Sequence, residues 1–160
     1  MDGMSYGLLP LALPYCIVNA AAVTITVPNN IPFDTIVENK GITYDTSTGI
    51  FTLIGGYTYR LWSGLWSTST TEGGRFGACQ WVFSSDNSPV SGGQNGMGFS
   101  NWLVTSGDAS INEMIADTVY TATTNIGVAL RYIFLDTGNA QMTTSSASSS
   151  AHIHAISQVP

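Results

Sequence analysis

The run FDTIVENKGITYDTSTGIFTLIGGYTYR, residues 33–60, reads as short strands joined by tight turns. Apolar and β-branched residues alternate with polar ones at a period of two, which suits a pleated, half-buried strand. Thr48-Gly49 interrupts the alternation with a residue that tolerates positive φ, so a hairpin turn is expected there. Beyond it, Ile50 and Thr52 face one way and Phe51 and Leu53 the other. A longer strand follows Gly55-Gly56, with Tyr57, Tyr59 and Leu61 sharing one face.

The pattern extends in both directions. Strands are expected at Tyr15-Asn19, Val23-Val27, Asp34-Glu38, Ile42-Tyr44, Gly49-Leu53, Gly56-Trp66, Arg75-Ser84, Asn101-Thr105, Thr118-Thr123, Ile126-Leu135 and His152-Ser157. Such spacing points to a sandwich or barrel rather than βαβ units. Ser110 and Glu113 form a capping box ahead of Met114 and Ile115, which reads either as a short helix or as a helix-like loop start before the next strand. Ser84-Gly98 and Thr137-Ser150 read as long loops, the first rich in turn formers and the second in serine. Leu8 to Val27 is apolar but broken by Pro10, Pro14 and Asn19, and Asp2 is the only charge before it. It therefore reads as a proline-kinked arm over residues 1–14 rather than a signal peptide or membrane span, with the domain proper at 15–160.

At 160 residues the chain suffices for one domain with a full core. Only 9% of residues are charged, against roughly 25% in ordinary soluble domains. The polar surface must come from glycine backbone, amides and 37 serines and threonines. A net charge of -6, with Lys40, Arg60, Arg75 and Arg131 as the only fixed cations, excludes nucleic acid and polybasic membrane contacts. Cys16 and Cys79 are expected free and buried, since a domain of this size needs no staple.

Residues 33–60 resemble the opening of the complement C1q and tumour-necrosis-factor-like jelly roll. The matching positions are Phe33, Asn39, Gly41, Tyr44, Asp45, Thr48, Gly49, Phe51, Thr52, Gly56, Tyr57 and Tyr59. Ile126 to Leu135 resembles the long penultimate core strand of that family, and AHIHAIS near the end resembles its last strand. The resemblance implies an all-β, ten-strand jelly-roll sandwich that assembles as a homotrimer about a threefold axis. Members of the family serve as extracellular ligands, bacterial surface proteins, and head or vertex domains of viral and phage fibres. No collagen-like G-X-Y stalk accompanies it here.

The sequence also contains an enzyme-like motif. Asp136-Thr137-Gly138 after Phe134-Leu135 matches the aspartic-protease pattern, but only 22 residues follow Gly138, too few for the flap and returning core. A strand ending in an Asp-Thr-Gly turn is the expectation. There is no P-loop in GGQNGMG and no HExxH, and Lys40 is the only lysine. Asp45, Asp86, Asp108 and Asp136 sit in turn-like contexts, and Asp34 with Glu38 reads as solvated charge rather than a calcium site. Trp62, Trp66, Trp81, Trp102, Tyr57, Tyr59 and Tyr120 suit sugar stacking or, the stronger reading, core and interface packing.

The chain is thus expected to be non-catalytic, a trimeric attachment protein at the virion surface or outside the cell. A fibre-head, spike or vertex component that binds a host receptor or glycan is the leading form, with virion or fibre-shaft proteins as further partners. An extracellular adhesion or signalling ligand is the alternative. Receptor contacts are expected on the loops, at Asn87, Gln94, Asn95, Asn139 and Gln141. No cofactor is expected, with one exception. His152 and His154 stand at i and i+2 on one face of the last strand, which the resemblance places near the threefold axis. Three copies would offer up to six imidazoles to an axial transition metal, unless the pair is simply solvated.

Overall fold

The computed structural model describes residues 12–20, 24–25, 29–69, 73–90, 97–104, 110–135, 142–144 and 149–160. Twelve strands run in chain order: β1 (Tyr15–Asn19), β2 (Thr24–Ile25), β3 (Thr35–Lys40), β4 (Thr43–Asp45), β5 (Ile50–Leu53), β6 (Tyr57–Ser69), β7 (Gly73–Phe83), β8 (Met97–Val104), β9 (Ser110–Ala122), β10 (Ile126–Leu135), β11 (Met142–Thr144) and β12 (Ser150–Gln158). Ten of them form two facing layers of five, ordered β3-β1-β12-β6-β9 and β4-β5-β10-β7-β8. That is the all-β jelly roll expected. The short ladder of β2 and β11 is an addition, attached where β11 pairs with Ser67 and Thr68 of β6.

Two local expectations are corrected. Residues 110–122 form neither a helix nor a helix-like loop start, but one strand paired along all thirteen residues of β6, from Ser69↔Ser110 to Tyr57↔Ala122. A capping box is a local signal, and the long ladder on β6 outweighs it. The segment Thr137-Ser150 is not loop throughout, since it contains β11. Residues 1–11, most of the expected arm, and Asp136-Thr137-Gly138 lie outside the described residues.

The core lies between the layers. Phe33, Tyr44, Phe51 and Trp81 form a chain of ring contacts with centroids 4.3–6.3 Å apart. The Phe33 amide donates to the Tyr44 hydroxyl at 2.7 Å, tying the segment before β3 to β4. Burial pushes the Tyr44 phenol up to about 12. Trp81 Nε1 on β7 reaches across to the Ala116 carbonyl on β9. Cys16 and Cys79 are free and buried, and burial raises the Cys16 thiol to about 11.

The turns follow from residue chemistry. Asp45 accepts from the Ser47 amide and from the Ser47 and Thr48 hydroxyls, and Gly49 closes the turn at φ 72°. At the β5–β6 turn, the Tyr59 hydroxyl donates to the Ile54 carbonyl and accepts from the Ile54 amide. Gly55 packs against the β9–β10 turn so closely that a Cβ there would lie 2.7 Å from Thr124 Cα and 2.9 Å from the Thr123 carbonyl oxygen. Both are backbone atoms, so neither can swing aside. Gly55→Ala should therefore cost about 1–3 kcal/mol through overpacking, read as a drop of roughly 2–4 °C in Tm per kcal/mol. A variant melting with the native protein would show that this turn is not tightly packed.

Candidate functional site

Period-two alternation gives the β1-β12-β6-β9 layer two different faces. Cys16 and Val18, Ala151 and Ile153, Tyr59, Leu61 and Leu65, and Met114 and Ala116 turn into the core. The residues between them turn out, and the register lines them up in two rows across four strands. Tyr15, His154, Arg60 and Val119 make one row; Ile17, His152, Trp62 and Asp117 make the other. Between the rows is an open groove of about 300 Å³ lined by Arg60, Trp62, His152 and His154.

Each groove side chain has an orienting partner. Arg60 donates from Nε to Asp117 Oδ1 at 2.9 Å and from Nη2 to Oδ2 at 2.5 Å, a two-pronged pair that raises the guanidinium pKa. Trp62 meets His152 edge to face with centroids 5.0 Å apart. The Tyr15 ring stacks on His154 at 6.2 Å and 17°. Tyr15 is held in turn by its hydroxyl, which donates to Glu38 Oε1 at 2.7 Å and is thereby pushed up in pKa. His152 Nε2 lies 3.2 Å from Ser150 Oγ. Partial burial, and then the neighbouring His154, hold the His152 imidazole below its ordinary pKa of 6.5.

The same face carries exposed aliphatic side chains. Ile115 and Val119 on β9 and Ile156 on β12 are 46%, 55% and 52% exposed. The face can stack rings, hold an ion pair and present two imidazoles side by side.

The sequence places His152 and His154 on one face of the last strand, with Ile153 and Ala155 opposite, and the structure does the same. Tyr59 and Trp81 are core, whereas Trp62 is half-buried in the groove wall. Asn87 sits apart from the groove, in the turn after β7, at φ 61°. Its amide donates to the Phe83 carbonyl, and its Oδ1 accepts from the Arg131 guanidinium. Gln94, Asn95, Asn139 and Gln141 lie outside the described residues. Among those described, no three His, Cys, Asp or Glu residues gather as a metal site within one chain, and Asp34 and Glu38 have separate partners. Sequence reasoning missed Arg60 as a groove residue and Asp117 and Tyr15 as the partners that hold Arg60 and His154. Arg60 carried a signal, one position from Tyr59 and Leu61 on the opposite face; Asp117 carried none, 57 residues away.

Comparison with known proteins places this architecture. No family model matches the chain, and no curated protein matches its sequence. Solved structures do. Murine APRIL matches with a TM-score of 0.58 at 9% identity, covering 90% of this chain and 99% of its own. The globular domain of zebrafish complement 1qA protein matches with a TM-score of 0.58 at 15% identity, covering 91% and 98%. The fold is that of the C1q/TNF-like jelly roll.

The electrostatics of the groove can be read directly. In an NMR titration, a ring proton of His152 should shift with a midpoint below 6.5, and His154→Ala should move that midpoint back upward. A midpoint at or above 6.5 would contradict the described burial and the coupling of the two rings.

Proposed function

We propose that the chain is a non-catalytic attachment module that works as a homotrimer. Its most specific form is a virion or phage fibre-head, spike or vertex component, borne on the virion surface and joined to fibre-shaft or other virion proteins. It would bind a host receptor or glycan. One observation carries the reading: the β1-β12-β6-β9 layer bears exposed apolar side chains, set among polar ones, on the face turned away from the core. A cluster of exposed apolar side chains marks a contact surface. Ile115, Val119 and Ile156 with the Trp62 groove leave this one open, and a chain with 9% charged residues has little else to keep it soluble as a monomer. The number three comes from the resemblance of residues 33–60. Among the described residues, no helix is long and apolar enough to cross a membrane.

A second reading, an extracellular adhesion or signalling ligand, is favoured by the fold shared with murine APRIL and a complement globular domain. The genes beside this one separate the two: capsid or tail genes support the first reading, and surface-secretion genes support the second.

Sedimentation at micromolar concentration should give three times the chain mass of 16.9 kDa. Val119→Asp, at an exposed position, should return the protein to a folded monomer by setting an unpaired charge in the covered face. A wild-type mass of one chain would overturn the assembly.

Recognition is assigned to the loops, because strand side chains are committed to packing. Joint replacement of Gln94, Asn95, Asn139 and Gln141 by alanine should weaken binding to host cells or a glycan array roughly tenfold or more. Unchanged binding would remove these residues from the contact surface.

A further inference from the structure

His152 and His154 are the only histidines in the chain, and their rings stand 6.2 Å apart, centroid to centroid, on the outer face of β12. Within one chain, the described residues bring no third His, Cys, Asp or Glu to them. Two imidazoles are an incomplete donor set, which other copies of the chain would have to complete. We propose that His152 and His154, together with the same pair from the other copies, hold one first-row transition metal ion at the assembly face. This rests on the trimer proposed above.

His152 has the contact that a ligating imidazole needs, and His154 is held by ring packing. Metal-bound histidines characteristically spend their second nitrogen on an oxygen partner, which fixes tautomer and direction. In the tautomer in which His152 Nε2 donates to Ser150 Oγ, Nδ1 keeps its lone pair for an ion. His154 lies flat against Tyr15, which Glu38 anchors. Trp62 closes one side of His152 edge-on and limits where that ring can turn. Two imidazoles on a single ion, each bonded at about 2.0–2.1 Å, keep their centroids about 5 Å apart. A small side-chain rotation closes the observed 6.2 Å to that distance.

Charge does not oppose the ion. Among the described residues, Arg60 is the one fixed cation lining the groove, and both prongs of its pairing go to Asp117, which leaves that pair neutral. The donor set selects the metal class. Imidazole nitrogens suit Ni(II), Co(II), Fe(II), Cu(II) or Zn(II), whereas Ca²⁺ and Mg²⁺ require oxygen cages. Up to six imidazoles from three copies favour a six-coordinate ion.

The test uses the full chain, purified without a metal-affinity step, stripped with chelator, and then titrated with Co(II). Sedimentation, calorimetry and elemental analysis are followed together. One ion per three chains is expected, with the weak d–d absorption of six-coordinate Co(II). His152→Ala and His154→Ala should each abolish uptake, while melting in chelator stays at the wild-type value and shows that the variants fold. Ser150→Ala should weaken binding about tenfold, because it frees the His152 ring without removing a ligand. Trimers that take up no ion would overturn the metal site and leave the assembly standing. Monomers that bind one ion each would overturn the shared site, and monomers that bind none would overturn both readings.

Discussion

Strand β6 is the element on which the rest of the structure depends. Its hydrogen bonds run along both edges, to β9 over thirteen residues on one side and to β12 and then β11 on the other. Because successive side chains point to opposite faces, one register settles two surfaces at once. Tyr59, Leu61 and Leu65 fill the core, while Arg60 and Trp62 build the groove. A slip of one residue would bury a guanidinium and expose a tyrosine and two leucines, so the core holds the groove in place.

The opposing layer is joined to this one by aromatic contact rather than by charge. Trp81 touches Phe51 at 5.7 Å and reaches β9 through its indole nitrogen, and Phe33 and Tyr44 extend the cluster to the edge of the sandwich. Large rings at offset and edge-on angles contribute burial and directional contact together. Tyr44 adds a hydrogen bond to a backbone amide that would otherwise be buried without a partner. The single ion pair of the groove contributes differently. The Arg60 and Asp117 side chains are 55% and 39% exposed, so solvent screens their attraction and the pair adds little to stability. What it does is neutralise the guanidinium that lines the groove.

Low charge, exposed aliphatic side chains and a paired set of histidines meet on one face. A surface short of ionisable groups is cheap to cover, since few ions must leave water when a partner lands on it. In the assembly we propose, the polar groups of that face would have to be matched. Arg60 with Asp117, Tyr15 with Glu38 and His152 with Ser150 are matched within the chain. The lone pairs of the imidazoles are what the proposed assembly would match between copies.

Local alternation made β1 and β10 legible to the residue, and it also placed His152 and His154 on one face. Turn chemistry did the same for Gly49, whose positive φ follows from having no side chain. The start of β9 was not legible, because Ser110 and Glu113 make a local cap signal while the strand itself depends on a partner more than forty residues earlier. Nor was β11, whose Met-Thr-Thr resembles its serine-rich surroundings until β6 and β2 pair with it. By itself, then, the amino-acid sequence determined the class, the alternation of each strand and the family likeness, all of which reside in neighbouring residues. Tertiary structure alone decided that Tyr15, Arg60 and Trp62 meet the histidine pair and that Asp117 meets Arg60. Those contacts run across the sheet between residues tens of positions apart, and hydrogen-bond register, which no local pattern encodes, is what aligns them.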